Sequence, residues 1–230
     1  MTDHDPYAFL SPAAVAAEGG HQPLLRSPIE PAHIAAGAQI ETHAGWRIAA
    51  YEPTDAQLWV SDQSHLGKLD LRGTAEELDG LTGGLEPGTA RADGEVWTIR
   101  LTPTHGYVVC PFERVGELRA RIGGAAIDAT CGLAAVALGG DGWREVWARS
   151  SGLDVRESRF APGRCVAGSV MRVNTLAVHR SNHVLMLVGW EFAEYFWEAI
   201  LDAGAELGLA AVTAGVAAPQ PVAEQQEVTA

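Results

Sequence analysis

Hydrophobic and polar positions along this chain follow two periods that replace one another from segment to segment. In Gly67-Lys68-Leu69-Asp70-Leu71-Arg72-Gly73, Leu69 and Leu71 alternate with polar residues, which predicts a half-buried strand. Trp97, Ile99 and Leu101 repeat the alternation, and residues 106–110 form a short apolar strand. Pro111 then suits the first turn of a helix in which Phe112, Val115, Leu118 and Ile122 recur at helical spacing. Residues 133–138 read as a strand of small side chains, and Asp141 is placed to cap a helix carrying Val146 and Trp147. Residues 165–179 alternate again, as one strand or two. The strongest helical signal spans 190–207, where Ala193, Phe196, Trp197, Ile200, Leu201 and Gly204 make one continuous face.

The order of these elements repeats. Asp62-Gln63-Ser64 leads to Leu69-Asp70-Leu71-Arg72-Gly73, a helical stretch, Pro87-Gly88 and a strand. Asp128-Ala129-Thr130 leads to Val136-Ala137-Leu138-Gly139-Gly140, a helix, Pro162-Gly163 and a strand. Two such halves predict an α+β fold, a pseudo-symmetric domain of two ferredoxin-like split-βαβ units. The Ala-, Gly- and Pro-rich residues 1–26 lack a sustained period and are expected to form a flexible arm. The Pro-, Gln- and Glu-containing residues 214–230 are expected to be a disordered tail, leaving 27–213 as the folded domain.

Composition narrows the function. With 47% hydrophobic and 20% charged residues, 230 positions supply an ordinary globular core. The net charge of -13 argues against nucleic acid, whose phosphates need a basic face. The most apolar stretch, 199–218, is broken by Asp202 and Glu206, so no membrane span is expected. The start, Met1-Thr2-Asp3-His4-Asp5, is acidic where a secretory signal is basic, and a cytoplasmic location is expected. Cys110, Cys131 and Cys165 are odd in number and far apart, with no paired spacing for a disulfide framework or a structural metal. Each is read as a reduced core cysteine.

Several residues invite a chemical reading. Ser64, His65 and Lys68 lie close enough in sequence to suggest a nucleophile or an acid–base pair. A triad with Asp62 is disfavoured, because neighbours on a strand point to opposite faces. His179 and His183 are four apart, but the setting is strand–turn–strand with Arg180, Ser181 and Asn182 in a surface hairpin turn, and no carboxylate completes a metal set. Gly19-Gly20, Gly83-Gly84, Gly123-Gly124 and Gly139-Gly140 do not continue into a phosphate-binding motif and are read as turns. Of the seven tryptophans, Trp143 and Trp190 stand at helix starts as candidate partner anchors.

Longer phrases carry a family resemblance. Ala32-His33-Ile34-Ala35-Ala36-Gly37-Ala38, His43-Ala44-Gly45-Trp46 and Asp62-Gln63-Ser64-His65-Leu66-Gly67, running on to Arg72-Gly73, resemble the opening of the glycine-cleavage T-protein (aminomethyltransferase) family. Gly152-Leu153-Asp154-Val155, Phe160-Ala161-Pro162-Gly163-Arg164-Cys165 and Phe192-Ala193-Glu194-Tyr195-Phe196-Trp197, followed by Leu201-Asp202-Ala203, are similar to the gamma subunit of heterotetrameric sarcosine oxidase. The resemblance implies an aminomethyltransferase folate-binding-like fold. It also implies larger flavoprotein subunits of an amine oxidase complex as partners, which would hold tetrahydrofolate, FAD, FMN and NAD. Folate-using relatives carry a paired-aspartate loop after the first conserved strand and a glutamate ahead of the strand preceding the last helix. Here Glu86 and Asp93 are out of frame with the first, and His179-Arg180-Ser181-Asn182-His183 replaces the second. No catalytic, cofactor-binding or metal-ligating residue is therefore assigned to this chain. The expected role is a non-catalytic subunit. The alternatives are a stand-alone folate-dependent methyl or aminomethyl transferase, or a folate-binding regulatory protein.

Overall fold

The computed structural model describes residues 25–214. The expected arm and tail lie outside them, apart from Leu25, Arg26 and Ala214, and so does Gly19-Gly20. The chain forms β1 (Leu25–Arg26), α1 (Glu30–Ala35), β2 (Gln39–His43), β3 (Trp46–Ala50), β4 (Leu58–Asp62), β5 (Gly67–Arg72) and α2 (Ala75–Thr82). It continues through β6 (Thr89–Asp93), β7 (Val96–Thr102), β8 (His105–Cys110), α3 (Val115–Ile122), β9 (Ala126–Asp128), β10 (Leu133–Gly140) and α4 (Trp143–Ser150). The last elements are β11 (Cys165–Val170), β12 (Val173–His179), β13 (His183–Gly189), α5 (Ala193–Gly204) and β14 (Ala210–Val212).

Two large sheets result, in the orders β11-β12-β13-β10-β4-β14 and β6-β7-β8-β5-β9, beside a small sheet β1-β3-β2. The period-2 segments explain the layering, because each strand offers one apolar set to either side. In the six-stranded sheet Val60, Val136, Leu138, Val184 and Met186 face α4 and α5, meeting Val146, Trp147, Phe196, Trp197 and Ile200. Its other face, with Ala135, Ala137, Val178 and Leu185, packs on Ile99 and Val109 of the five-stranded sheet. The outer face of that second sheet places Leu69, Leu71 and Val108 under Leu78 of α2 and Val115 and Leu118 of α3. The order is helices, sheet, sheet, helices, and each half lends its first strand to the other's sheet, β4 to the six-stranded one and β9 to the five-stranded one.

Helix ends follow local chemistry. Thr74 caps α2 in a reciprocal pair: Glu77 N donates to Thr74 Oγ1 (3.3 Å) and Thr74 N donates to Glu77 Oε2 (2.7 Å). The helix closes on Gly83 in the left-handed region, φ 61°. α4 departs from expectation. Gly142, not Asp141, stands at its N-terminus, with φ 89° and no side-chain cap, a conformation that glycine adopts at lower cost than aspartate. Gly139-Gly140 end β10 rather than forming a free turn. A Cβ at Gly139 would strike the Trp59 ring, so the glycine is there to admit an indole across the strand.

Candidate functional site

The two sheets are joined by two crossovers, and their hydrogen bonds repeat. After β4, Ser64 N donates to Asp62 Oδ1 (2.9 Å), Gln63 N to the Ala135 carbonyl (2.7 Å), and Ala135 N to Ser64 Oγ (3.2 Å). After β9, Thr130 N donates to Asp128 Oδ1 (2.9 Å), Ala129 N to the Lys68 carbonyl (2.9 Å), and Lys68 N to Thr130 Oγ1 (3.1 Å). The Asp-x-Ser/Thr repeat in the sequence is thus a pair of matching Asx turns, each tied to the strand that leaves the other. Lys68 and Ala135 occupy equivalent positions.

Lys68 is fully buried. Its Nζ donates to the Ser64 carbonyl (2.7 Å) and the Thr130 carbonyl (3.2 Å), one from each crossover, and lies 6.0 Å from the Trp46 ring centroid. Burial pulls its pKa down to about 8, with nearby Asp62 working the other way. Ser64, His65 and Lys68 are therefore brought to one place without forming a nucleophilic set. The Ser64 hydroxyl serves a backbone amide, the ammonium is sealed, and burial holds His65 neutral with a pKa near 4.

Asp62 has other partners, which sequence spacing could not show. Ser27 Oγ donates to Asp62 Oδ2, and His33 Nε2 lies 3.0 Å from the same oxygen. His33 Nδ1 meets the Tyr51 hydroxyl at 2.7 Å, and Trp197 packs edge-on to the imidazole, 4.8 Å between centroids. Burial works against the Asp62 carboxylate, but hydrogen bonds from His33, Ser27 and Ser64 prevail and keep its pKa below the usual value. Burial, and then Asp62, push Tyr51 up to about 12, so its hydroxyl stays protonated. The set is a buried tie between α1 and β4.

Between the sheets lies a cavity of about 420 Å³, lined by Leu101 and Tyr107 on one side and by Leu133, Leu176 and Leu187 on the other. Its polar lining is Tyr107, Asn174 and Thr175, and Thr175 Oγ1 already donates to the Val173 carbonyl (3.0 Å). Behind Tyr107, Asp70 is engaged by Arg72 Nε (2.8 Å) and approached by His105 Nε2 (3.0 Å). Burial, and then Asp70, push Tyr107 up to about 12. No Asp or Glu lines the cavity. A pterin ring there would meet the Tyr107 and Thr175 hydroxyls and the Asn174 amide but no carboxylate for its paired donors, and each group left unmatched would cost about 1–3 kcal/mol.

Comparison with known proteins completes the picture. Residues 95–206 match the family model described as sarcosine oxidase, gamma subunit family. This segment belongs to that family. In structure the chain is similar to a heterotetrameric sarcosine oxidase from Corynebacterium sp. U-96 in complex with pyrrole 2-carboxylate, with TM-score 0.62 and 18% identity over 81% of this chain and 98% of that one. It is also similar to the glycine cleavage system aminomethyltransferase T from Bartonella henselae, with TM-score 0.65 and 18% identity over 83% of this chain and 60% of that one. A search of the curated proteins finds no match. The fold is thus the expected aminomethyltransferase-like α+β domain, with the family segment running from β7 through α5 and its following turn.

Within that segment the remaining sequence candidates find their places. His179 and His183 flank the β12–β13 turn but serve separate oxygens, Phe160 O (2.7 Å) and Asn182 Oδ1 (2.9 Å). Among the described residues no group of three His, Cys, Asp or Glu side chains could hold a metal, and no helix is long and apolar enough to cross a membrane. Cys110 and Cys165 are buried, with thiols pushed up to about 12 by burial. Cys131 is exposed, contrary to expectation, because it sits on the crossover turn rather than in a strand. Trp143 is 5% exposed and packs in the core instead of anchoring a partner. The exposed aromatics of that region are Phe192 (49%) and Tyr195 (51%), at the start of α5.

Proposed function

We propose that this chain is a non-catalytic gamma-like subunit of a flavin- and tetrahydrofolate-dependent sarcosine (N-methyl amine) oxidase, bracing larger catalytic subunits. The family match over residues 95–206 carries the reading. The lining of the inter-sheet cavity supports it, because the scaffold of a folate enzyme is kept while no carboxylate meets a pterin. On this reading FAD, FMN, NAD and tetrahydrofolate belong to partner subunits in the cytoplasm. Residues 27–213, extended by Leu25 and Arg26, are the docking domain.

The test is co-expression of the tagged chain with the flavoprotein subunits, followed by purification through the tag. Stoichiometric recovery of a yellow complex that oxidises sarcosine supports the reading. A colourless lone chain that binds tetrahydrofolate tightly would instead make it a stand-alone folate-dependent transferase or a folate-binding regulator.

A further inference from the structure

Two arginines lie low in this fold, and their surroundings differ. Arg100 on β7 is 4% exposed. Its Nη1 donates to Asp79 and to the Leu85 carbonyl (2.9 Å), and its Nη2 to the carbonyls of Pro103 (3.1 Å) and Ala75 (3.3 Å). Arg180 opens the turn between β12 and β13, where its backbone N donates to the His183 carbonyl (2.8 Å). Its guanidinium is half-buried over the Trp97 ring, 4.8 Å from the centroid, with Nε sealed from water. Nε lacks a partner in both residues. The difference lies at the tips: among the described residues, no carboxylate or carbonyl takes up the Arg180 guanidinium.

Its neighbours deepen the contrast. Burial, then Arg180 and His179, hold His183 down to about 3, so the nearest titratable ring is neutral. Burial alone, with no acidic neighbour, lowers the Arg180 pKa to about 10. A guanidinium drawn partly out of water and left without a counter-charge costs stability and returns none to the isolated chain. It is nonetheless pre-oriented, since the indole fixes its plane and leaves the outer fork of donors free.

Arg180 lines neither of the two described cavities. What can reach it is a group standing out from another surface, beside the exposed turn residues Ser181 and Asn182. We infer that Arg180, backed by Trp97, is an assembly anchor that receives an aspartate or glutamate carboxylate of a partner subunit in a two-pronged pair. The inference rests on the subunit reading above. Because the chain as a whole carries -13, long-range attraction does not bring an acidic patch to it. The anchor acts at contact and governs dissociation more than encounter.

The experiment uses the assembled complex and the isolated chain side by side. Arg180→Met keeps the stem over Trp97 and removes the charge. The isolated variant should unfold at the wild-type temperature or higher, while the complex containing it dissociates at least about tenfold faster. Arg180→Lys should fall between, since an ammonium keeps charge without the fork. Arg100→Met, in contrast, should lower the unfolding temperature of the isolated chain. Wild-type dissociation from the Arg180→Met complex overturns the anchor and leaves the subunit reading intact. A drop in isolated-chain stability matching that of Arg100→Met also overturns it, by making Arg180 a structural residue. Failure of the wild-type chain to assemble at all would overturn both.

Discussion

The two crossovers share one backbone plan and differ in what stands at its centre. In the second half Ala135 fills the equivalent position and adds nothing beyond its amide and carbonyl. In the first half Lys68 extends an ammonium to the carbonyls of Ser64 and Thr130 and so ties both turns together. The surroundings diverge as well, since Asp62 is tied through Ser27 and His33 to the segment ahead of β4. A duplicated scaffold is held at its seam by unduplicated polar contacts. Symmetry sets the geometry here, and departures from it supply the cross-links.

Removing the cation is the strongest way to break the comparison. Lys68→Ala should destabilise the chain by about 4 kcal/mol in urea unfolding, combining a buried void with two orphaned carbonyls. Lys68→Met, which keeps the stem, should cost less than half of that. A loss under about 1 kcal/mol for Lys68→Ala would show the turns to be self-sufficient. The second effect is pH-dependent. The folded pKa of Lys68 lies near 8, below its ordinary 10.5, so between these values the unfolded chain binds the extra proton. Wild-type stability should therefore rise by about 3 kcal/mol relative to Lys68→Met between pH 8 and 10.5.

Asp62→Asn probes the tie to α1 and should cost about 2 kcal/mol at neutral pH, because hydrogen bonds to a charged acceptor exceed neutral ones. Its folded pKa is depressed, so this contribution is present above about pH 4 and lost as pH falls through the lower folded value. Below that the variant and wild type should converge. The finest comparison is Ser64→Ala against Thr130→Val. Each orphans one amide, Ala135 N or Lys68 N, and each should cost about 1–2 kcal/mol. A clear inequality would show that the equivalent bonds carry unequal load.

The periodic segments of the sequence gave way to structure directly. Ala193, Phe196, Trp197, Ile200 and Gly204 are all buried on α5, and Leu69 and Leu71 face the outer helices. Residues 39–43 were silent, since every side chain of β2 but Ile40 is exposed and leaves no apolar rhythm. The repeat of Asp-x-Ser and Asp-x-Thr was visible, but that the two turns exchange bonds with Ala135 and Lys68 was not. Those pairs lie 71 and 62 residues apart, and spacing holds no record of them. The Asp62–His33 contact, 29 residues apart, escaped for the same reason. The strand rule applied to Asp62, Ser64 and His65 does not hold there, because β4 ends at Asp62 and the next residues form a turn in which Ser64 N donates to the Asp62 carboxylate.

Lys68 is the sole lysine in the 230-residue sequence, every other basic side chain being arginine or histidine. Because it is fully buried, the folded surface presents no ε-amine. An acylating reagent that modifies exposed lysines on any companion protein would pass this one by at its side chains. Label appearing on Lys68 would record an opening of the seam between the two sheets, one event per molecule and at one address. The chain carries its own clock for that opening, readable by mass.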